Sequence, residues 1–341
     1  MHFKSSYEVS GLRANLDKTS EIEMKFDLPI QARLLLSVIY PDGSPTLDAS
    51  SVVCTATTEG EIPDNQATED LHLALLNSTD GVWPNFKGKN QEEMAHIWRA
   101  VDSFFIPLSD LIQSTTSILR WRFGSTRGPV YPYQNVKQAL SEDGESWFLF
   151  HAARSVNISM LPSVSQFEIT PDIEREVTKL VVDNREEPLG HQLLREARNQ
   201  ARAHSRSALV IGVAAAEVGL KKLIGVLVPQ NQWLLEEIET PSLSKILRKY
   251  LPQLPVKLKF TGKTIAPPNQ VIRKLERAAE LRNKIVHAGK EPPNTDELDD
   301  LLDAIQDFLW ICDLYAGNAW AGTYISHATM QAWKNEDVFA E

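Results

Sequence analysis

The chain contains 341 residues, of which 43% are hydrophobic and 23% are charged, as in ordinary globular proteins. This length is sufficient for two domains that each bury a core. The first residues contain no apolar stretch of signal-peptide length, and the most apolar segment, 208–228, contains Glu217 and two lysines. We therefore expect neither export nor a membrane span. Cys54 and Cys312 lie far apart without metal-ligand spacing, which favours a reducing cytoplasm and predicts neither a metal nor a cofactor.

The net charge of −10 is unevenly distributed along the sequence. Residues 1–170 carry 13 basic and 21 acidic side chains, whereas residues 195–290 carry 18 basic and 7 acidic ones. From Glu291 onward there is one lysine against 11 acidic residues. A basic block inside an acidic protein is typical of a surface that binds a polyanion, but solvated helix faces would produce the same counts.

The N-terminal half is predicted to begin with β-strands. Hydrophobic and charged residues alternate over 22–28, which indicates a half-buried strand. The apolar run 32–40 predicts a more buried strand, closed by a Pro-Asp-Gly turn. Weaker strand patterns occupy 3–9 and 51–56.

A helix and a final pair of strands complete this half. Apolar residues between Met94 and Leu119 fall at helical spacing, and Pro107 should kink or split the helix because it removes a hydrogen-bond donor. Residues 147–150 and 156–160 indicate the strands. No catalytic set is recognisable before residue 165, so we interpret 1–170 as an α+β domain of unknown role, with sensing or regulation as one option. We interpret its scattered histidines as surface or core residues: His72, His96 and His151.

From Pro188 the pattern is helical almost throughout. A polar break within 170–188, after a connecting helix at 172–182, is the predicted domain boundary. Four or five antiparallel helices with short connections predict an all-α bundle over 185–318, followed by a C-terminal tail, 319–341. The predicted helices are 189–201, 206–228, a short one between Thr240 and Pro252, one that ends at Gly289, and 298–315 after a possible capping box of Asn294 and Glu297.

One stretch of this bundle, 275–289, carries candidate site residues. Arg282, Asn283 and His287 lie near the predicted C-terminus of its helix. Histidine suits proton transfer because its unperturbed pKa is about 6.5, and the arginine fork matches phosphate geometry. On an ideal helix Asn283 and His287 share a face, whereas Arg282 and His287 are about 140° apart. Two copies that face each other would therefore enclose a phosphate better than one.

The same residues also suit a structural role. Arginine and histidine near a helix C-terminus interact favourably with the helix dipole, and Glu280 with Lys284 is an ordinary surface pair. The Arg–His spacing is also common, because Arg185 precedes His191 and Arg198 precedes His204 at similar distances. We interpret those two matches as coincidence.

The C-terminal half resembles the HEPN (higher eukaryotes and prokaryotes nucleotide-binding) superfamily in two separated segments. The first contains Leu193-Leu194-Arg195-Glu196-Ala197, Arg206-Ser207-Ala208 and Ala215-Ala216-Glu217, similar to the first two helices of many bacterial members. The second, Leu281-Arg282-Asn283-Lys284-Ile285-Val286-His287-Ala288-Gly289, is similar to the family's Arg-x(4–6)-His motif with a polar residue after the arginine. The resemblance covers about 185–318, roughly 40% of the chain.

This resemblance implies a dimeric, metal-independent endoribonuclease of toxin–antitoxin or anti-phage defence, in which two motifs meet in one cleft. Its products would be RNA ends with a 2′,3′-cyclic phosphate and a 5′-hydroxyl. Arg282 would stabilise the phosphorane, His287 would move protons, and Asn283 would orient the phosphate or the motif. Glu217 lies where such proteins often have an acidic residue, although pairing with Lys221 one turn on is an equally simple interpretation.

The resemblance also implies particular partners. RNA and a second copy of the chain are expected, together with an antitoxin or another defence protein. In one subgroup a nucleotidyltransferase antitoxin adenylates a tyrosine where this chain has Gly289, so that control is not expected. Some HEPN domains lack catalysis, and the alternative function is a dimerisation or nucleotide-binding module with an N-terminal partner-binding domain.

Overall fold

A computed structural model describes residues 1–9, 12–14, 22–26, 31–39, 51–79, 81–125, 136–151, 165–167, 170–231, 243–259 and 266–338. The chain divides into two compact units, which we call the sheet unit and the helical unit. The sheet unit contains Met1–Ser125 and Tyr131–Glu186, and the helical unit contains Thr126–Val130 and Glu187–Glu341. The division falls inside 170–188, where the sequence predicts a domain boundary.

Most strands of the sheet unit form one antiparallel sheet. The strands are β1 (His2–Val9), β2 (Leu12–Ala14), β3 (Ile22–Phe26), β4 (Ala32–Ile39), β5 (Ser51–Glu59), β6 (Lys137–Ser141), β7 (Phe148–His151) and β8 (Ser165–Phe167). The sheet has the order β3-β4-β5-β1-β6-β7, and β2 pairs with β8 separately. The four N-terminal strand patterns correspond to β1, β3, β4 and β5, whereas β6 was not predicted. The predicted strand 156–160 and the turn after residue 40 lie outside the described residues.

The helices of the sheet unit are α1 (Asn65–Leu76), α2 (Gln91–Arg122) and α3 (Pro171–Val182). The long helix α2 buries an apolar stripe in the core that it shares with the sheet. It runs without interruption through Pro107, so the predicted split does not occur. Phe105 and Leu108 on either side of the proline are at most 1% exposed, and this packing outweighs a local cost of about 3 kcal/mol.

The helical unit is built from five longer helices in the part of the chain that the structure describes. They are α4 (Leu189–Gln200), α5 (Ser205–Leu227), α6 (Asn269–Ala288), α7 (Thr295–Tyr315) and α8 (His327–Val338). Between α5 and α6 lie short helical turns at Pro229–Asn231, Leu243–Lys245, Ile246–Tyr250 and Leu251–Gln253. Thr240, the predicted start of a short helix, lies outside the described residues. An α+β N-terminal part followed by a helical C-terminal part is thus confirmed.

Helices α5 and α7 pack closely through glycines. Gly212 lies against Leu302, and Gly219 lies against Leu309. A Cβ atom at either glycine would overlap the leucine side chain, so the missing side chains permit this approach. Because both contacts advance together along the two sequences, α5 and α7 run in the same direction.

Ion pairs fix the direction of α6 relative to α7. Lys274 contacts Asp300, and Arg277 contacts Glu297. The residue number on α7 decreases as the residue number on α6 increases, so these two helices run in opposite directions. It follows that α5 and α6 also run in opposite directions.

The helical unit extends beyond residue 318, where the sequence predicted only a tail. This region contains a 3-10 helix, Ala319–Tyr324, and then α8. Trp333 of α8 is 1% exposed, and its ring contacts that of Tyr315 with centroids 6.1 Å apart. Asp307 of α7 also accepts hydrogen bonds from Ser326. The sequence missed this helix because its apolar residues do not form a regular stripe.

Candidate functional site

Three of the four candidate residues, Arg282, Asn283 and His287, lie in the last two turns of α6, and Glu217 lies on α5. Helix α6 is anchored by one buried apolar face, which contains Val271, Ile272, Leu275, Ala278 and Ile285. It ends where Gly289 adopts a left-handed conformation with φ of 60°, and the Gly289 amide donates to the carbonyl of Ile285 at 3.1 Å. Glycine adopts this conformation without a Cβ clash, so the predicted helix end at Gly289 is confirmed.

Arg282 binds Glu217 across the contact between α6 and α5. The Nη2 atom of Arg282 lies 2.6 Å from Oε1 of Glu217. The arginine side chain is 28% exposed and the glutamate side chain 36%, so the pair is accessible from solvent. Two of the four predicted site residues therefore meet, and Glu217 pairs with Arg282 instead of its alternative partner, Lys221.

Asn283 and His287 are exposed close to this pair in the sequence. In the described part of the chain, neither side chain has a hydrogen-bond or ion-pair partner. On an ideal helix they are rotated by about 100° and 140° from Arg282, so His287 projects from another side of α6. Val286, one turn after Arg282, is an apolar side chain that is 53% exposed. A single copy thus presents the arginine and the histidine separately, with an uncovered apolar residue beside them.

Acidic residues of α7 neutralise part of the basic block. Lys274 lies 2.5 Å from Asp300, and Arg277 lies 3.0 Å from Glu297. These contacts lie on the side of α6 that packs against α7. Other exposed basic side chains have no ion-pair partner among the described residues: Arg202, Arg206, Lys222, Arg273 and Lys290. Both interpretations of the basic block therefore apply, each to different side chains.

A second histidine of the helical unit is buried. His191 is 7% exposed, and its Nε2 atom donates to Oδ2 of Asp313 at 2.8 Å. Its ring packs against Trp310 with centroids 4.2 Å apart. One turn further along α4, both η nitrogens of Arg195 bind the buried carboxylate of Glu187. The sequence did not predict these pairs, because their partners lie outside α4.

The two other Arg–His spacings do not place an accessible arginine and an exposed histidine on one helix. Arg185 is exposed in the sheet unit, whereas His191 is buried in the helical unit. Arg198 donates to Asp303 and to Gln306, each at 2.7 Å. Only the spacing at the end of α6 combines an accessible arginine with an exposed histidine on one helix.

Three properties of the described residues bear on other chemistry. No three His, Cys, Asp or Glu side chains among them converge as metal ligands would. In the same ranges, no helix combines the length and the apolar character needed to cross a membrane. Cys54 and Cys312 are buried, and burial raises the pKa of both thiols, which keeps them unreactive at neutral pH.

Comparisons with protein-family models, with curated proteins and with solved structures found no match to this chain. The resemblance to the HEPN superfamily therefore depends on the residues quoted for it. The function is inferred below from those residues and from the geometry of α5 and α6.

Proposed function

We propose that the helical unit is a metal-independent endoribonuclease of the HEPN type. The observation that carries the proposal is the ion pair between Arg282 and Glu217. It holds a partly exposed guanidinium on the helix that also presents Asn283 and His287 to solvent. Glu217 engages one η nitrogen of an arginine that has five N–H donors, so donors remain for phosphate oxygens.

The proposed reaction needs two proton transfers at one phosphodiester. The 2′-oxygen attacks phosphorus while a base takes its proton, and the 5′-oxygen leaves while an acid supplies a proton to it. The products are a 2′,3′-cyclic phosphate and a 5′-hydroxyl. Imidazole serves as base when neutral and as acid when protonated, and the Arg282 guanidinium binds the charge that develops on the phosphoryl oxygens. Asn283 is assigned to orientation of the phosphate.

A second copy of the chain is assigned the missing half of this site. One copy supplies one accessible histidine on α6, whereas base and acid act on opposite sides of the phosphorus. The exposed Val286, one turn after Arg282, would lie in this contact, where a partner surface would remove it from water. We propose a homodimer in which two α6 ends face each other.

The sheet unit is assigned a sensing, restraining or targeting role, in a toxin–antitoxin or anti-phage system. This assignment follows from the family resemblance of the helical unit alone. The part of the sheet unit that the structure describes has polar pairs such as His96 with Asp64, at 2.9 Å, which join structural elements to each other.

The test is cleavage of single-stranded RNA by the full chain in EDTA. Arg282→Ala and His287→Ala should each reduce the rate by about 10²–10⁴-fold, since each removes a group needed in the transition state. End analysis of the products should show cyclic phosphates. Matched controls are Arg273→Ala, an exposed arginine on the same helix, and His327→Ala, an exposed histidine on α8.

The controls should cleave at the parental rate. A parent that cleaves no RNA, or Arg282 and His287 variants as active as their controls, would refute catalysis at this site. Nucleotide binding by calorimetry without cleavage would favour the non-catalytic module instead.

The dimer is tested separately by sedimentation. Val286→Glu should convert the protein to monomers and remove cleavage, because it places a charge in the proposed contact. Leu189→Glu is the matched control, since Leu189 is an equally exposed apolar residue at the start of α4. A Val286→Glu variant that sediments and cleaves as the parent does would exclude the proposed contact.

A further inference from the structure

Two arginines at one end of the helical unit are not part of the site described above. Arg202 follows α4, Arg206 lies in the first turn of α5, and both side chains are exposed. Neither has an ion-pair partner within the described ranges. The turn that carries them has a defined shape, because the amides of Ala203 and His204 donate to the carbonyl of Gln200 at 3.1 and 2.7 Å. Within the described ranges, the protein therefore presents two cations without an ion-pair partner, at a place that the turn defines.

Arg206 lies on the same stripe of α5 as Glu217. Eleven residues are close to three helical turns, so the two side chains point within about 20° of each other and are about 16 Å apart along the helix. Since α5 and α6 run in opposite directions, the chain that continues past Arg282 approaches the level of Arg206. His287 lies about 7 Å along this path, and the exposed Lys290 follows it.

We propose that this row of cations, from Arg282 past Lys290 to Arg206 and Arg202, binds the backbone of a single-stranded RNA that extends from the cleavage site. This inference rests on the proposed function, whose substrate it places on a surface. A single phosphodiester chain can follow such a row, whereas a duplex presents two. Contacts between arginine or lysine and phosphates give affinity without sequence preference.

The paired cations of α6 provide the contrast. Lys274 and Arg277 carry the same charge as the two arginines, but Asp300 and Glu297 neutralise them. If RNA responded only to the net charge of the unit, removal of either pair of cations would weaken binding equally. If RNA follows the row, only removal of the unpaired arginines should weaken RNA binding.

The experiment measures binding without cleavage. A fluorescent 2′-O-methyl RNA lacks the attacking hydroxyl, and its affinity for the full chain is measured by anisotropy over a series of salt concentrations. Each lost phosphate contact on a single strand lowers the slope of log K against log salt by about 0.7. The double variant Arg202→Gln with Arg206→Gln should therefore lose about 1.4 from the slope. The double variant Lys274→Gln with Arg277→Gln should keep the parental slope.

The salt slopes of the two double variants decide whether RNA binds along the row of cations. The proposed row of cations would be overturned by a parental salt slope in the Arg202 and Arg206 variant, or by an equal loss of slope in both double variants. Either result would overturn it even if the cleavage assay supports the proposed function. Binding of this RNA with the expected slopes, together with no cleavage of unmodified RNA, would support the row and refute catalysis. A parent that does not bind this RNA would overturn the proposed row. Urea unfolding of each double variant checks that it is folded.

Discussion

The helical unit contains two arginine–glutamate pairs in opposite surroundings. Arg195 and Glu187 are 2% and 1% exposed, whereas Arg282 and Glu217 are 28% and 36% exposed. The histidines nearest to them in sequence differ in the same way, because His191 is buried against Asp313 and His287 is exposed without a partner among the described residues. One set of side chains is enclosed by protein, and the other is available to a ligand.

This difference separates stability from function within one fold. A buried charge that loses its partner remains uncompensated in a medium of low dielectric constant, so the enclosed set should dominate the free energy of unfolding. An exposed ion pair contributes at most about 1 kcal/mol, so the accessible set should matter little for folding. The following substitutions test this separation.

Arg195→Ala should produce the largest loss of stability, about 3–5 kcal/mol, because it removes the buried guanidinium that binds the carboxylate of Glu187 through both η nitrogens. Urea unfolding followed by circular dichroism measures the loss. Arg282→Ala is the matched control and should change the free energy of unfolding by less than about 1 kcal/mol. Similar urea unfolding curves for both variants would show that the buried and the exposed ion pair contribute equally to stability.

Thiol labelling locates the effect of Arg195→Ala. Cys54 is buried in the sheet unit and Cys312 in the helical unit. We expect the substitution to shift labelling of Cys312 to lower urea concentration while labelling of Cys54 keeps its parental midpoint. A shift at Cys54 alone would contradict an effect confined to the helical unit.

His191→Ala should reduce the free energy of unfolding by about 2 kcal/mol, because Asp313 loses a buried donor and Trp310 loses a packing partner. His191→Gln keeps an N–H donor and should recover part of the loss. Urea titrations of the two variants and of His287→Ala provide the measurement. An equal loss of unfolding free energy in His287→Ala would show that burial of His191 gives it no larger role in stability than the exposed His287 has.

Glu217→Gln should lower the rate constant of RNA cleavage by roughly tenfold, about 1.4 kcal/mol, because a neutral amide holds Arg282 less firmly. Affinity for RNA should stay at least parental, since the change removes a negative charge near the phosphate. Single-turnover kinetics separates the two quantities. A loss of affinity at an unchanged rate constant would exclude a positioning role for Glu217.

Asn294→Ala should give the smallest effect, about 1 kcal/mol of stability. The Asn294 side chain caps α7 by accepting a hydrogen bond from the amide of Glu297 at 2.8 Å. Thermal unfolding measures the loss, and RNA cleavage should remain parental. A cleavage defect as large as that of Glu217→Gln would mean that the start of α7 belongs to the functional surface.

The sequence predicts the elements better than their contacts. Strands β1, β3, β4 and β5 and the end of α6 were located because alternation and a glycine cap are local signals. The ion pair between Arg282 and Glu217 was not predicted, since the direction in which α5 and α6 cross is determined by packing against α7. For the same reason no local pattern identifies Glu187 or Asp313 as a buried partner. The α8 helix was missed because its buried residues, such as Trp333, follow no regular spacing.

The position of Glu187 also determines where the polypeptide can be divided. Residues 182–186 are exposed, and Glu187, the next residue, is buried with Arg195. A cut before Glu187 leaves both charges of this pair on the same fragment, whereas a cut after it separates Arg195 from the carboxylate of Glu187. Proteolysis, gene fusion and recombination should therefore be tolerated at the peptide bond before Glu187 and should destabilise the helical unit at the peptide bond after it.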